Sequence, residues 1–335
     1  MINSPLAVLG AGSWGTALAL HAARLGQTVR LWGHRVDHMQ ALRRDRCNKA
    51  YLPDFPFPET LTPCESLAEA LVGVQDVWVV VPSFAVRHVI QAVQAVVTAP
   101  VRVVLATKGV DPDSAALLHT VIAAECGIGT PVAVISGPTF AAEVAAELPS
   151  AITLASYDAM FREDTLTRLH ATHFRVYRHD DVVGVEWCGI LKNILAIAVG
   201  ISDGMQLGFN ARSALLTRGL QEMKRFCVAS GGREETIMTL AGVGDLMLTA
   251  MADRSRNRRF GLAIGQGQGV REALDTIGQA VEGFYNLPHV FTMGTQMGIH
   301  MPIVEVVYRV ICENLSPHAA LIAMLDRDPA AGLEF

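Results

Sequence analysis

The chain has 335 residues, 51% hydrophobic and 18% charged, with a formal net charge of −5. That length suggests two domains with ample core, and the composition is that of an ordinary soluble globular protein. The negative balance argues against general nucleic-acid affinity, although a local basic cluster can still hold one small anion. The six cysteines, Cys47, Cys64, Cys126, Cys188, Cys227 and Cys312, form no CxxC pair and no zinc-like spacing. No metal site is expected from them, and a reduced, cytoplasmic compartment fits best. The opening MINSPLAVLGAGSWGTALAL imitates a signal peptide but lacks a basic start and is interrupted by glycines, so it reads as structure. No charge-free run suggests a membrane span.

Leu6–Leu9 reads as an apolar strand running into Gly10-Ala11-Gly12-Ser13-Trp14-Gly15, then a helix from about Thr16 to Leu25, then a strand Thr28–Trp32. Strand, G-x-G-x-x-G, helix and strand within about thirty residues is the context that makes this motif specific for a dinucleotide. Gly10 makes the turn, Gly12 admits a pyrophosphate, Gly15 lets helix and strand pack, and the helix start attracts phosphate. After the second strand an NAD site usually carries an acid, whereas this chain has Gly33-His34-Arg35. His34 and Arg35 suit a 2′-phosphate, so NADP(H) is preferred, while Asp37 keeps NAD(H) open.

Met39–Arg46 reads as helix and the proline-rich Leu52–Pro58 as loop. Apolar runs Val77–Val81, Val101–Ala106 and Val132–Ile135 then alternate with helices Ala85–Val97 and Ser114–Cys126. This indicates a parallel sheet covered on both faces, completed by Ala151–Leu154 and Phe174–Tyr177. Ligands bind at the carboxyl ends of such strands, which gathers Ser13, Ser83, Lys108 and Gly137–Thr139 at one edge. Lys108 is there a phosphate or carbonyl contact or a solvated lysine, and Thr139 a ligand contact or the cap of the helix that follows. Glu143 and Glu147 read as a solvated helix face.

The composition then turns helical, which places a domain boundary near Gly184, between an α/β domain of residues 1–183 and an all-helical domain of residues 184–335. Gly184–Gly200 is apolar almost all round and therefore a buried helix, with Lys192 in its middle. Gly189 and Ala196 on the same face are small enough for something other than a side chain to lie there. Burial would lower the pKa of the amine and suit it to acid–base work. On this helix alone a snorkelling stem is the better reading, and the rest of the chain reverses that. Gly200–Asn210 reads as a glycine-rich connection and Ala211–Ser230 as a long helix whose Arg212 and Arg218 are structural. Asp245 and Thr249 share a helical face after a glycine turn, where spacing alone makes Asp245 a cap. Ser255-Arg256-Asn257-Arg258-Arg259 is a donor cluster before a helix that suits a phosphate, with a solvated basic turn the equal alternative. Helices near His289–Met297 and Ile303–Glu313 finish the domain, and the end after Asp326 is expected to fray.

In order and spacing, GAGSWGTALA, WGHR, LPDFPFP, VVVPS, ATKG, ISGPTFAAE, LKNILAI, SDG, NARSALLTRGL, AGVGDLMLT, SRNRRFG and VEGFYN resemble the bacterial NAD(P)-dependent glycerol-3-phosphate dehydrogenases over essentially the full length. The resemblance implies a Rossmann-type N-terminal domain, an all-α C-terminal domain and a substrate cleft between them. It places the catalytic lysine on Lys192. Substrate contacts fall on Lys108, Gly137, Thr139, Asp245, Ser255, Arg256 and Asn257, with Thr249 near. Cofactor contacts fall on Ser13, Trp14, His34, Lys108, Ala141, Arg256 and Glu282, joined by Arg35 and the glycines 10, 12 and 15. Trp14 stands where the family often has Tyr or Phe, and Arg35 where relatives can carry Asp. The implied reaction reduces dihydroxyacetone phosphate to sn-glycerol 3-phosphate for phospholipid synthesis, with a homodimer expected by analogy. A ketopantoate-reductase-like enzyme and a non-catalytic NADP sensor are the alternatives. The SRNRR cluster speaks against the first, and an otherwise idle Lys192 against the second.

Overall fold

The computed structural model describes residues 4–325, so the expected frayed end after Asp326 lies outside them. The apolar runs form β1 (Leu6–Leu9), β2 (Val29–Trp32), β3 (Cys47–Asn48), β4 (Leu52–Pro56), β5 (Leu61–Cys64), β6 (Asp76–Val79), β7 (Arg102–Leu105), β8 (Val132–Ser136), β9 (Ser150–Ser156) and β10 (Phe174–His179). Between them lie α1 (Ser13–Arg24), α2 (Val36–Asp45), α3 (Leu67–Leu71), α4 (Val86–Val96), α5 (Leu118–Cys126), α6 (Ala141–Ala145) and α7 (Ala159–Leu169). The main sheet runs β10-β9-β8-β7-β6-β1-β2-β5, with separate apolar cores on its two faces. Strand order reverses at β1, flanked by β2 and β6, and this switch point opens the crevice that binds ligands in such sheets.

Two expectations for this half are corrected. The sheet is not wholly parallel, because β8 and β9 pair antiparallel and β10 follows β9. A strand buried on both faces is apolar in either direction, so its composition carries no sign of its polarity. The stretch Leu52–Pro58 is also not all loop. Its first five residues form β4, which pairs antiparallel with β3 across an irregular register.

The second half is α8 (Val182–Gly204), α9 (Gly208–Ala229), α10 (Asp245–Met251), α11 (Arg256–Gly265), α12 (Val270–Ile277), α13 (Glu282–Gln296), α14 (Pro302–Cys312) and α15 (Pro317–Leu325). Here α8 is the axis, packed on α9, α10, α11, α13 and α14. It is long and apolar enough to cross a membrane by composition, but 94% of its apolar window is buried in the protein. Asp181 caps it, accepting from the Gly184 N–H at 2.8 Å and from the Thr236 hydroxyl at 2.5 Å. The supposed glycine-rich connection 200–210 is mostly helix, and only residues 205–207 separate α8 from α9.

Those glycines serve packing instead. A β-carbon on Gly200 would lie 2.1 Å from the Arg258 carbonyl oxygen, and one on Gly204 2.3 Å from that of Leu262. Reciprocally, Gly261 and Gly265 on α11 lie against the Ile197 and Ile201 carbonyls at 2.1 and 2.3 Å. The two helices therefore touch backbone to backbone, and any side chain at these four positions would part them. Gly261→Ala is expected to cost about 1–3 kcal/mol through overpacking, lowering the melting temperature by about 2–4 °C for each kcal/mol. Thermal unfolding followed by circular dichroism checks this, and an unchanged midpoint would mean that α8 and α11 are not in backbone contact.

Candidate active site

Lys192 is buried, with 7% of its surface exposed. Its ammonium donates to Asp245 Oδ1 at 3.0 Å and to Thr249 Oγ1 at 2.7 Å, groups 53 and 57 residues further along the chain. The snorkelling alternative is thereby set aside. The other carboxylate oxygen of Asp245 accepts a short hydrogen bond from Lys108, which follows β7 at the carboxyl edge of the sheet. The Lys108 stem lies on Gly189, where a β-carbon would stand 3.2 Å from its Cγ. At Gly189 the small face of α8 is covered by the Lys108 stem. Asp245 is positioned by a wide turn in which the Gly244 N–H reaches back to the Thr239 carbonyl at 3.2 Å. It is the first residue of α10 and continues the helical run of that turn, since Gly244 before it is already in helical conformation. It acts as counter-ion to two lysines and not as the expected cap.

Burial lowers the Lys192 pKa to about 8, with Lys108 adding to the fall and Asp245 opposing it. Burial alone would raise the Asp245 carboxyl, but the two lysines outweigh it and hold the group below the ordinary carboxylate range. The cluster carries two cations and one anion. It can hold an anionic substrate and pass a proton near neutral pH.

The dinucleotide loop stands at the switch point. Gly10 has φ +123°, and its β-carbon would lie 2.6 Å from the Val80 carbonyl oxygen. A β-carbon on Gly15 would lie 1.8 Å from the Gly10 carbonyl, whereas Gly12 has nothing within 4 Å. The flanking glycines are forced by packing and the middle one faces open space, which is what a pyrophosphate approaching the start of α1 requires. No side chain caps α1 at Gly12, and its first amides have no intrahelical acceptor. These residues fit a nicotinamide dinucleotide. Ser13, Trp14 and Ala141 are half-buried on α1 and α6, which pack together. His34 and Arg35 are exposed beyond β2, and Arg35 is bonded to Asp37.

The remaining predicted residues divide. Glu282 bridges the two halves of the chain, accepting from the Ser83 N–H at 3.1 Å and the Ser83 hydroxyl at 2.6 Å. Burial raises its carboxyl, countered only in part by these donors. Arg256 is exposed and donates to the Ala280 carbonyl at 2.9 Å. Asn257 is engaged within the protein, donating to Asn193 Oδ1 at 2.8 Å and accepting the Gly283 N–H at 2.9 Å. Ser255 caps α11, accepting the Arg258 N–H at 3.3 Å. Arg258 leaves the donor cluster for a buried pair with Asp203 at 2.7 Å, and Asp203 also takes Arg212 at 2.7 Å. Thr139 donates to the Gly137 carbonyl at 3.2 Å and does not cap α6. Gly137 packs on Ile152, and Pro138 reaches Gly244, next to Asp245. The sequence reading missed Asn193, Asn286 and Ser136. Asn286 accepts the Val110 N–H at 2.8 Å across the seam. The Ser136 hydroxyl is buried beside Lys108 without a partner. All three stand inside the motifs ISGPTFAAE, LKNILAI and VEGFYN, and Asn193 also adjoins Lys192. A separate cavity of about 330 Å³, lined by His119, Trp187, Met293 and others, contains none of the predicted site residues.

A dinucleotide cradle at the switch point, joined across one seam to a buried lysine–aspartate pair, defines an NAD(P)-dependent dehydrogenase of two-part, α/β plus all-α construction. Residues 5–162 and 181–322 match the family described as NAD-dependent glycerol-3-phosphate dehydrogenase, N-terminus and C-terminus respectively. The chain is 51% identical over 327 residues to glycerol-3-phosphate dehydrogenase [NAD(P)+] of Coxiella burnetii, covering 98% of each chain. It is 47% identical to the Serratia proteamaculans enzyme of the same name, covering 97% of this chain and 96% of that one. A crystal structure of glycerol-3-phosphate dehydrogenase from Coxiella burnetii superposes with a TM-score of 0.94 at 50% identity, covering 97% and 99% of the two chains. The chain belongs to the NAD-dependent glycerol-3-phosphate dehydrogenase family, and the keto-acid reductase alternative falls away.

Removing the anion while keeping burial and Lys108 must disfavour the charged amine further. Asp245→Asn is therefore expected to move the Lys192 pKa below about 8. Lysine-selective NMR across a pH series checks this. An unchanged or higher value would mean that the Asp245 charge is not felt at Lys192.

Proposed function

We propose that Lys192 is the acid–base group of an NAD(P)-dependent glycerol-3-phosphate dehydrogenase that interconverts dihydroxyacetone phosphate and sn-glycerol 3-phosphate. The reading is carried by one observation, a buried lysine held by Asp245 and Thr249 with its pKa lowered to about 8. A nicotinamide dinucleotide held at the glycine loop would supply the hydride chemistry at C2 of the ketone, in either direction. Lys192 gives its proton to the C2 oxygen as negative charge grows there, and recovers it in the oxidation. Asp245 fixes the direction of the Lys192 ammonium and keeps Lys108 within reach of the same oxygen. Arg256 and the start of α11 hold the substrate phosphate through forked and amide hydrogen bonds. Ser255 and Asn257 contribute to this less directly, by fixing the first turn of α11. Gly137 and Thr139 line the substrate on the Asp245 side. Glu282 joins the walls of the cofactor cleft through Ser83 and helps to exclude water.

The chain divides on this reading into a dinucleotide domain of residues 1–183 and a substrate domain of residues 184–335. Its product feeds phospholipid synthesis in the cytoplasm, and the working unit is a homodimer.

The sign of the pH dependence follows from the lysine. Reduction needs the ammonium, so its rate is expected to fall as pH rises through about 8, while oxidation, which needs the free amine, rises through the same value. Lys192→Ala is expected to lower kcat by about 10²–10⁴-fold while dinucleotide binding persists. Absorbance at the reduced nicotinamide band, with dihydroxyacetone phosphate as substrate, measures both. Near-native turnover in the variant would remove Lys192 from the chemistry.

A further inference from the structure

The cavity of about 330 Å³ lies on the seam between the two halves and shares no residue with the lysine–aspartate site. One wall is the turn into α5, with Ala116, Leu117 and His119. The other is helical, with Trp187 from α8 and Met293 and Met297 at the end of α13. The turn is braced. The Asp111 N–H donates to the Ala116 carbonyl at 3.0 Å, the Ala115 N–H to the Asp111 carbonyl at 2.8 Å, and Val110 bridges Leu117. Ala115 is held there at φ +55°, a conformation uncommon outside glycine. Trp187 packs edge to face on Phe226, with ring centres 4.7 Å apart. Two walls are therefore firm, and the methionines supply the adaptable surface.

The polar groups of the lining choose the occupant. Glu186 fixes His119 at two points, accepting its backbone N–H at 3.2 Å and a short bond from Nδ1 of its ring. Among the described residues nothing bonds the other ring nitrogen, Nε2. The Ser230 hydroxyl, also in the lining, is buried without a partner. No lysine or arginine is among the lining residues, and the nearby Glu186 carboxylate repels an anion. A phosphate or carboxylate is thus unsuited to this space. A hydroxyl is suited, because it donates to Nε2 of a neutral ring, accepts from a charged one, and either donates to or accepts from Ser230. We propose that this cavity binds a small uncharged molecule with an apolar body and a hydroxyl group, lodged between the α/β half and the helical half. Its volume is at the low end for small-molecule sites and holds about ten non-hydrogen atoms. The site does not depend on the role given to Lys192.

The test titrates the full chain with 2-cyclohexylethanol and, separately, with cyclohexylacetate, which keeps the ring and replaces the alcohol by a carboxylate. Calorimetry gives the two Kd values, and tryptophan emission reports on Trp187, the one tryptophan of four in the lining. Saturable binding of the alcohol with a change in emission is expected, and the carboxylate is expected to bind at least about tenfold more weakly. Ala116→Phe fills the space and is expected to abolish binding. Ser230→Ala removes only the unpartnered hydroxyl and is expected to weaken binding about fivefold. Circular dichroism melting close to the wild-type midpoint shows that each variant is folded. No saturable binding of the alcohol to wild type, or binding that both substitutions leave unchanged, overturns the site. Cyclohexylacetate binding as tightly as the alcohol overturns the uncharged ligand class.

Discussion

The site depends on one carboxylate shared between two lysines. An isolated ammonium at the depth of Lys192 would be neutral, and an isolated carboxylate at the depth of Asp245 would be protonated. Together, with Lys108 as a third charge, they balance so that Asp245 stays ionised and Lys192 titrates at about 8. That balance requires one residue from the sheet edge and two from different helices to meet within hydrogen-bond distance. Breaking a buried pair of this kind by removing one partner typically costs about 3–5 kcal/mol, because a charge is left without compensation. Stability and the titration of Lys192 are thus set by the same contact.

The rest of the fold delivers the partners. The switch point of the sheet brings the ends of β1, β6 and β7 together, and with them the dinucleotide loop, Ser83 and Lys108. The interlocked glycines of α8 and α11 bring Arg256 and Asn257 over the helix that carries Lys192. Asn257 then ties α8 to α13 through Asn193 and the Gly283 amide. Contacts Ser83–Glu282, Val110–Asn286 and Lys108–Asp245 cross from the α/β half to the helical half. The glycine-loop side and the Lys192 side are therefore positioned against each other by polar bonds, in addition to apolar packing.

Much of this was legible in the sequence where the signal is local. The glycine loop lies within one strand–helix unit, and a lone lysine in an apolar helix stands out against its neighbours. The misreadings share a cause. Asp245 looked like a cap because its partners lie 53 and 137 residues away, beyond the reach of any local pattern. Gly200 and Gly204 looked like a linker because glycine that closes on another backbone and glycine that turns a chain have the same composition. The direction of β9 was hidden because both faces of the strand are buried. Arg258 reads as a phosphate donor in the sequence because its partner Asp203 lies 55 residues earlier, at the far end of α8.

The central claim, that Lys192 moves the proton, is tested most directly by chemical rescue. Lys192→Ala would be assayed with a series of small primary amines of graded basicity, at fixed pH, with saturating reduced cofactor and dihydroxyacetone phosphate. Recovery of turnover that saturates with amine and scales with amine pKa is the predicted result, since an external ammonium would then replace the missing donor. Absence of rescue by any amine small enough to fill the space, or rescue indifferent to amine basicity, would contradict the proton-transfer role and leave Lys192 as a purely electrostatic group.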